Sequence, residues 1–292
     1  MSGRREARAS EAQVGQSFAR VVAELFAVDA ERATGLIEEG AVFVGGRRLR
    51  DPEACAKLGD RLILHLRDPA LTPTELPPIR VIFEDASILV LNKAPGDHLN
   101  ETETSLHPSL VERLRPKYPE LLVVHRLDRE TSGVVLLAKT AARASALSEA
   151  FRERRVKKRY VAIVEGTAPE GTVEAAIGDD PKRPRARRVV TTGKPSTTTF
   201  TRLATVDGLC SVMAEPLTGR THQIRVHLSH RGAPIVGDRL YGGPQVVRIG
   251  GEVVRAERTL LHALRLELEG LTFSAPIPED LARFERYGLK LS

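Results

Sequence analysis

The sequence predicts an α+β chain in two parts. A small N-terminal α+β module precedes a larger domain built on a mixed, largely antiparallel sheet flanked by helices. Three observations carry this. Residues 14–66 pack two helical patterns and several short strand patterns into about 50 residues. Residues 68–79 (DPALTPTELPPI) hold four prolines and few apolar side chains, which reads as a linker. Beyond residue 80, strand patterns dominate and tight turns such as Asp207-Gly208 join neighbours, which favours antiparallel pairing.

The elements follow in order. Residues 1–12 are small and charged with no periodicity, and are expected to be a disordered tail. Phe18, Val21, Val22, Leu25 and Phe26 follow helical spacing. Asp29 suits the N-cap of a second helix over 30–39, closed by Gly40. Residues 41–44, the Gly45-Gly46 turn and residues 47–49 read as a hairpin, and 61–66 as an alternating strand. In the larger part, strands are expected at 80–83, 88–92, 121–125, 134–139, 160–165, 197–205, 210–216, 259–268 and 271–274. Helices are expected at 108–115, 141–154, 221–230 and 279–287.

Composition narrows the function. The 292 residues contain no apolar run near the ~20 residues of a membrane span, and the first 20 show no secretory signal. Two cysteines, Cys55 and Cys210, make neither a disulfide framework nor a CxxC metal site, which fits a reducing cytoplasm. No P-loop, G-x-G-x-x-G, G-x-S-x-G or HExxH is present. Net charge is +6, but unevenly spread. Residues 152–159 (RERRVKKR) and 182–188 (KRPRARR) together carry +10, leaving −4 for the rest. Two concentrated basic segments suit a polyanion, and they also suit two solvated loops.

Two polar clusters stand out. His125-Arg126-Leu127-Asp128-Arg129-Glu130-Thr131-Ser132-Gly133 lies between two apolar strands, a position that holds side chains rigidly at a sheet edge. Arg126 and Arg129 flank Asp128, so its carboxylate is expected to be ionised, as a nucleophile or a base. The same residues also read as a plain turn, with His125 a satisfied strand-end residue. In the second cluster, Thr221 is expected to cap a helix on which His222, Arg225 and Ser229 share one face. A partly buried Arg225 needs an anion, and an aspartate is the natural bidentate partner. The histidines lack the companions of a metal site, so no metal is expected. Tyr160 opens a strand directly after a basic run, a place for base stacking or for strand-edge packing.

At this point the motifs are familiar. VHRLDRETSGVVLLAKT resembles the catalytic segment of RluA-type pseudouridine synthases. LVLNKAPG, KKRYVAIVEG and PLTGRTHQIRVHLSHRGAPIVGDRLYG are similar to further family segments in the same order, and the resemblance covers about residues 80–287. Ala94 departs from the family's usual proline, and 97–104 (DHLNETET) is unusually acidic and polar. Residues 13–67 resemble an S-four-like RNA-binding domain. The resemblance implies a catalytic domain over 80–292, Asp128 as catalytic aspartate, Tyr160 against the target base, Arg225 paired with the aspartate, and Arg126 helping to displace the uridine. It implies uridine-to-pseudouridine isomerisation in structured RNA, with large-subunit ribosomal RNA the first expectation and tRNA the second. No cofactor is expected, and a cytoplasmic monomer is. Arg152, Arg154, Arg155, Lys157, Lys158, Lys182, Arg183, Arg185, Arg187 and Arg188 would grip phosphates. The competing readings are a non-catalytic RNA-binding or ribosome-assembly factor, and a nucleoside hydrolase. The front module's charge is only −1, so RNA grip is expected mainly in the larger domain.

Overall fold

The computed structural model describes residues 3–66, 77–100 and 108–292, in two compact units. Most of the proline-rich stretch 68–79, and residues 101–104 of the acidic stretch, lie outside the described residues.

The first unit contains β1 (Gly3–Arg8), α1 (Phe18–Phe26), α2 (Ala30–Glu38), β2 (Val42–Val44), β3 (Arg47–Arg48) and β4 (Arg61–Leu66). Its sheet runs β1-β4-β2-β3. Phe18, Val21, Val22 and Phe26 of α1 and Leu36 and Ile37 of α2 bury against Val42, Leu62 and Leu64. The predicted cap is present, since Asp29 accepts from the Arg32 N–H at 2.7 Å. The expected disordered tail is corrected, because Gly3–Arg8 pairs antiparallel with Arg61–Leu66. Its side chains are charged and small, so no apolar period marks it. What holds it is the backbone ladder and the Arg61 guanidinium on Glu6, at 2.6 and 3.1 Å.

The unit boundary also differs from a single cut near residue 80. His98–Lys117 falls with the first unit. In that segment α3 (Leu110–Leu114) starts with a capping box between Ser109 and Glu112. Glu112 is nearly buried and takes Arg48 at 2.9 Å and Arg50 at 3.1 Å. A buried carboxylate needs such partners, and they lie some 60 residues away in sequence, beyond the reach of local pattern.

The second unit spans Ile79–Asp97 and Tyr118–Ser292. Its elements are β5 (Arg80–Glu84), β6 (Ile88–Lys93), β7 (Leu122–Val123), β8 (Ser132–Ala138), α4 (Ala141–Arg152), β9 (Lys157–Glu165), β10 (Gly171–Glu174), β11 (Ile177–Asp179), β12 (Arg187–Val189), β13 (Thr197–Val206), β14 (Leu209–Pro216), α5 (Gln223–His230), β15 (Val246–Ile249), β16 (Glu252–Arg255), β17 (Leu261–Leu268), β18 (Leu271–Ser274) and α6 (Glu279–Ala282). The main sheet runs β10-β13-β14-β9-β17-β8-β6-β5, with β18 beside β17 and β7 beside β8. Of the described pairs in this sheet only β17–β8 is parallel, so the sheet is mixed and largely antiparallel, as the sequence predicts.

Every residue of β8 is buried, which is why it reads as an unbroken apolar run rather than an alternation. Gly133 opens that strand at φ +114°, where a Cβ would lie 2.2 Å from the Ala263 carbonyl oxygen. The glycine therefore permits the β8–β17 approach directly behind the polar loop. The β11–β12 hairpin and β10 carry few apolar residues and are not marked in sequence, whereas the β15–β16 hairpin, Val246–Ile249 and Glu252–Arg255 about Gly250-Gly251, has a readable pattern that the predicted strands omit. The first of these hairpins brackets the basic run 182–188. The predicted strand 121–125 reduces to Leu122–Val123, and α5 begins at Gln223 after His222, not Thr221. None of the described helices is long and apolar enough to cross a membrane.

Candidate active site

Three elements of the second unit bring the sequence candidates together. Asp128 sits on the loop between β7 and β8, Tyr160 on central strand β9, and Arg225 on α5. They line one cleft of about 460 Å³ with Arg126, His222 and Lys158.

The loop is held from both sides. On one side the Lys93 ammonium, 1 % exposed, donates to the carbonyls of Ala94, Arg129 and Thr131 at 3.0, 2.8 and 2.8 Å. Burial pushes its pKa down to about 7, while three acceptors matched to three N–H groups favour the charged form. On the other side Arg258 donates to the Glu130 carbonyl at 2.9 Å, and Glu130 accepts from the Thr259 N–H and hydroxyl. Thr131 N–H closes a turn onto the Asp128 carbonyl at 3.1 Å. The turn expected as a bland alternative is thus real, but it uses the Asp128 backbone and leaves the carboxylate to the cleft.

The cation on Asp128 is not a chain neighbour. Arg129 turns away to the Gly96 carbonyl, and Arg126 is exposed at the cleft with no ion pair among the described residues. Arg225 Nη1 donates to Asp128 Oδ2 at 3.0 Å. Its other edge forms the bidentate pair, with Asp238, through Nε at 2.7 Å and Nη2 at 2.8 Å. The bidentate aspartate expected for Arg225 is therefore Asp238, and Asp128 takes one remaining N–H. Burial lowers the Arg225 pKa, but the Asp238 and Asp128 carboxylates outweigh it and raise it, so this is a fixed cation. Tyr241 packs its ring against this guanidinium at 4.9 Å. The tight turn that holds Asp238 requires Gly237, at φ +84°, where a Cβ would strike the Arg258 carbonyl oxygen at 1.9 Å.

Tyr160 pairs with Ala214 and Ala263 on either side, and burial, aided by the Asp128 charge, raises its phenol pKa. It is a neutral O–H with an apolar ring. His125 stacks on Phe151 at 4.7 Å, and its Nε2 accepts the Leu136 N–H at 2.9 Å. Burial, then the Lys158 charge, lowers its pKa to about 3, so it is a neutral structural acceptor.

The basic segments divide on inspection. Arg152, Arg155 and Arg159 pair with Glu149, Glu153 and Glu215. Lys158 reaches the Thr218 carbonyl, and burial lowers its pKa to about 8. Arg183 pairs with Asp180 and Arg187 with Asp179. Arg154, Lys157, Lys182, Arg185 and Arg188 are exposed and make no ion pair among the described residues, although the Asp180 pKa is lowered by its Arg183 hydrogen bond first and, more weakly, by the Arg188 charge. Sequence reasoning passed over Lys93, Asp238 and Tyr241, although all three lie inside the family-like segments. The signal available was a lone acid in a short turn bounded by glycines, GDRLYG.

Residues 87–230 match the family described as RNA pseudouridylate synthase. The Escherichia coli O6:H1 "Dual-specificity RNA pseudouridine synthase RluA" is 38 % identical over 215 residues, 70 % of this chain and 95 % of that protein. The chain belongs to the RNA pseudouridylate synthase family. Over nearly the full length, the Xylella fastidiosa "Ribosomal large subunit pseudouridine synthase D" is 33 % identical, covering 96 % of this chain and 91 % of its own. The solved structure of human RNA Pseudouridylate Synthase Domain Containing 1 overlays on 72 % of this chain and 86 % of its own, with a TM-score of 0.56 and 30 % identity. This pseudouridine synthase is thus an isomerase acting on uridine in RNA.

Proposed function

We propose that this synthase modifies large-subunit ribosomal RNA and that Asp128 is its catalytic group. The observation that carries the reading is the Asp128 carboxylate, held by Arg225 Nη1 at 3.0 Å inside a cleft walled by Tyr160. The near full-length likeness to a ribosomal large subunit synthase supports the substrate. The reaction breaks the bond from the ribose anomeric carbon to uracil N1 and forms one to C5. The C5 proton is lost and N1 gains one, so no atom or electron is exchanged with a cofactor. The uridine must leave its stack to reach the cleft, and exposed Arg126 fills the space it vacates. Tyr160 packs on the flipped base. Arg225 orients Asp128 while Asp238 absorbs two of its N–H vectors, so among the described residues one hydrogen bond restrains the Asp128 carboxylate. The S-four-like reading of the first unit remains part of this proposal, as an accessory RNA contact.

The test uses ribosomal and transfer RNA from cells lacking the gene, incubated with the parent protein and with Asp128→Asn. Pseudouridine is mapped by mass spectrometry. The parent is expected to form it in large-subunit RNA and the variant is not. Pseudouridine in tRNA alone would overturn the substrate, and activity in Asp128→Asn would overturn the assignment of the carboxylate. Release of free uracil would identify a hydrolase instead.

A further inference from the structure

One histidine in the cleft has no role in the scheme above, yet its surroundings are specific. His222 precedes α5 in the left-handed region, at φ +59° and ψ +18°. A β-carbon-bearing residue resists that conformation, so the fold holds it there. The result points the imidazole two ways. Its Nδ1 lies 2.7 Å from the Tyr241 hydroxyl, and its Nε2 lies 3.9 Å from Asp128 Oδ1. Oδ1 is the carboxylate oxygen that Arg225 does not hold.

The chain of donors can be followed. The Arg187 backbone N–H donates to the Tyr241 oxygen at 2.8 Å. That leaves the Tyr241 proton to be donated, and the acceptor in reach is His222 Nδ1. An imidazole that accepts at Nδ1 carries its proton on Nε2. Burial lowers the His222 pKa despite the Asp128 charge, so the ring is neutral, and a Tyr241 O–H donated to Nδ1 selects the Nε2–H tautomer. The Tyr241 ring also meets the imidazole edge-on at 5.6 Å and lies against the Arg225 guanidinium. One side chain therefore supports both groups that face Asp128.

We infer that His222 is a second positioning residue for Asp128: its Nε2–H holds Oδ1 in the RNA complex, while Arg225 holds Oδ2. In the free protein these two atoms stand 3.9 Å apart, outside hydrogen-bond range, so the proposed contact requires an approach of about 1 Å on RNA binding. Its donor is set by a relay that starts at Arg187, on the hairpin bracketing the basic loop. The role assigned to Asp128 rests on the pseudouridine reading, whereas the tautomer does not.

Two measurements test it. Proton–nitrogen correlation spectra of the ¹⁵N-histidine-labelled protein near pH 7 report the tautomer, with the His222 signal assigned by its loss in His222→Gln. The Nε2–H form is expected, and Tyr241→Phe is expected to shift the population toward Nδ1–H. A parent in the Nδ1–H form, or no response to Tyr241→Phe, overturns the relay. The second measurement is single-site kinetics on a modified RNA fragment. His222→Leu should lower kcat about 10–100-fold with KM unchanged, the size expected for a misplaced catalytic group. His222→Gln, which places an N–H near the Nε2 position, should recover most of the loss. Parental kcat in His222→Leu, or equal losses in both variants, overturns the positioning role. If the parent forms no pseudouridine on any RNA, the functional reading fails, and the spectra still decide the tautomer.

Discussion

Replacing Asp238 by asparagine removes one charge from the most enclosed ion pair at the site. Asp238 has no exposed side-chain surface and accepts four N–H groups: Arg225 Nε and Nη2, and the backbone of Leu240 and Tyr241 at 3.1 and 3.2 Å. Asparagine keeps one acceptor oxygen and turns an NH₂ toward donors, so at least one N–H is left facing another. Breaking a buried pair by removing one partner costs about 3–5 kcal/mol when the remaining charge is left uncompensated, and because Asp128 still faces Arg225 the loss here falls toward the lower end of that range. For a unit of this size each kcal/mol lowers Tm by roughly 2–4 °C, so Tm should fall toward the lower end of about 6–20 °C. Circular dichroism melts of parent and variant in one buffer read this directly. The control is the double variant Arg225→Met with Asp238→Asn. It removes both charges and leaves the asparagine oxygen for the Leu240 and Tyr241 N–H groups. It should therefore melt closer to the parent than Asp238→Asn alone, while making no pseudouridine. A single variant melting within about 2 °C of the parent, or a double variant no better than the single, would refute the argument.

Two further outcomes follow from the same geometry. His125 has a folded pKa of about 3 against an ordinary 6.5, so the unfolded chain binds the extra proton first as pH falls. Its contribution is present in full above pH 6.5 and is lost progressively toward pH 3; His125→Gln, a neutral acceptor for the Leu136 N–H, should show a flatter loss of urea stability between pH 6.5 and 4 than the parent. Among the described residues the basic run 182–188 offers three side chains without an ion pair rather than five, so Lys182→Ala, Arg185→Ala and Arg188→Ala together should make the log–log salt dependence of RNA binding shallower by about 2–3, measured by filter binding, whereas removing residues 1–68 should change it less.

The polar loop was visible in sequence because β8, buried on both faces, leaves an unbroken apolar signal, and the polar run from His125 contrasts with it and with the apolar residues 121–124. Helices α1 and α2 were visible because each has one apolar stripe and α2 a capping aspartate. The first strand was not, since Gly3–Arg8 contributes a backbone ladder and few apolar side chains. The charge arithmetic located two basic segments but could not distinguish free cations from paired ones. Glu215 is 56 residues from Arg159, and only folding brings them together.

By itself, the sequence determined the α+β class, the largely antiparallel order of the sheet, the ordered family-like segments, and the residue types that meet in the cleft. These follow from short-range periods of 2 and 3.6 residues and from turn chemistry, which act within a few residues. The tertiary structure alone decided which charges meet. Asp128 and Arg225 stand 97 residues apart, and the bidentate partner of that arginine is Asp238, on the turn after its own helix. Lys93 grips the Asp128 loop through backbone carbonyls, groups every residue possesses and no sequence pattern marks. Desolvation then shifts Lys93, His125 and Tyr160 from their ordinary pKa values, because the free energy of a charge depends on the whole volume around it rather than on its neighbours in the chain.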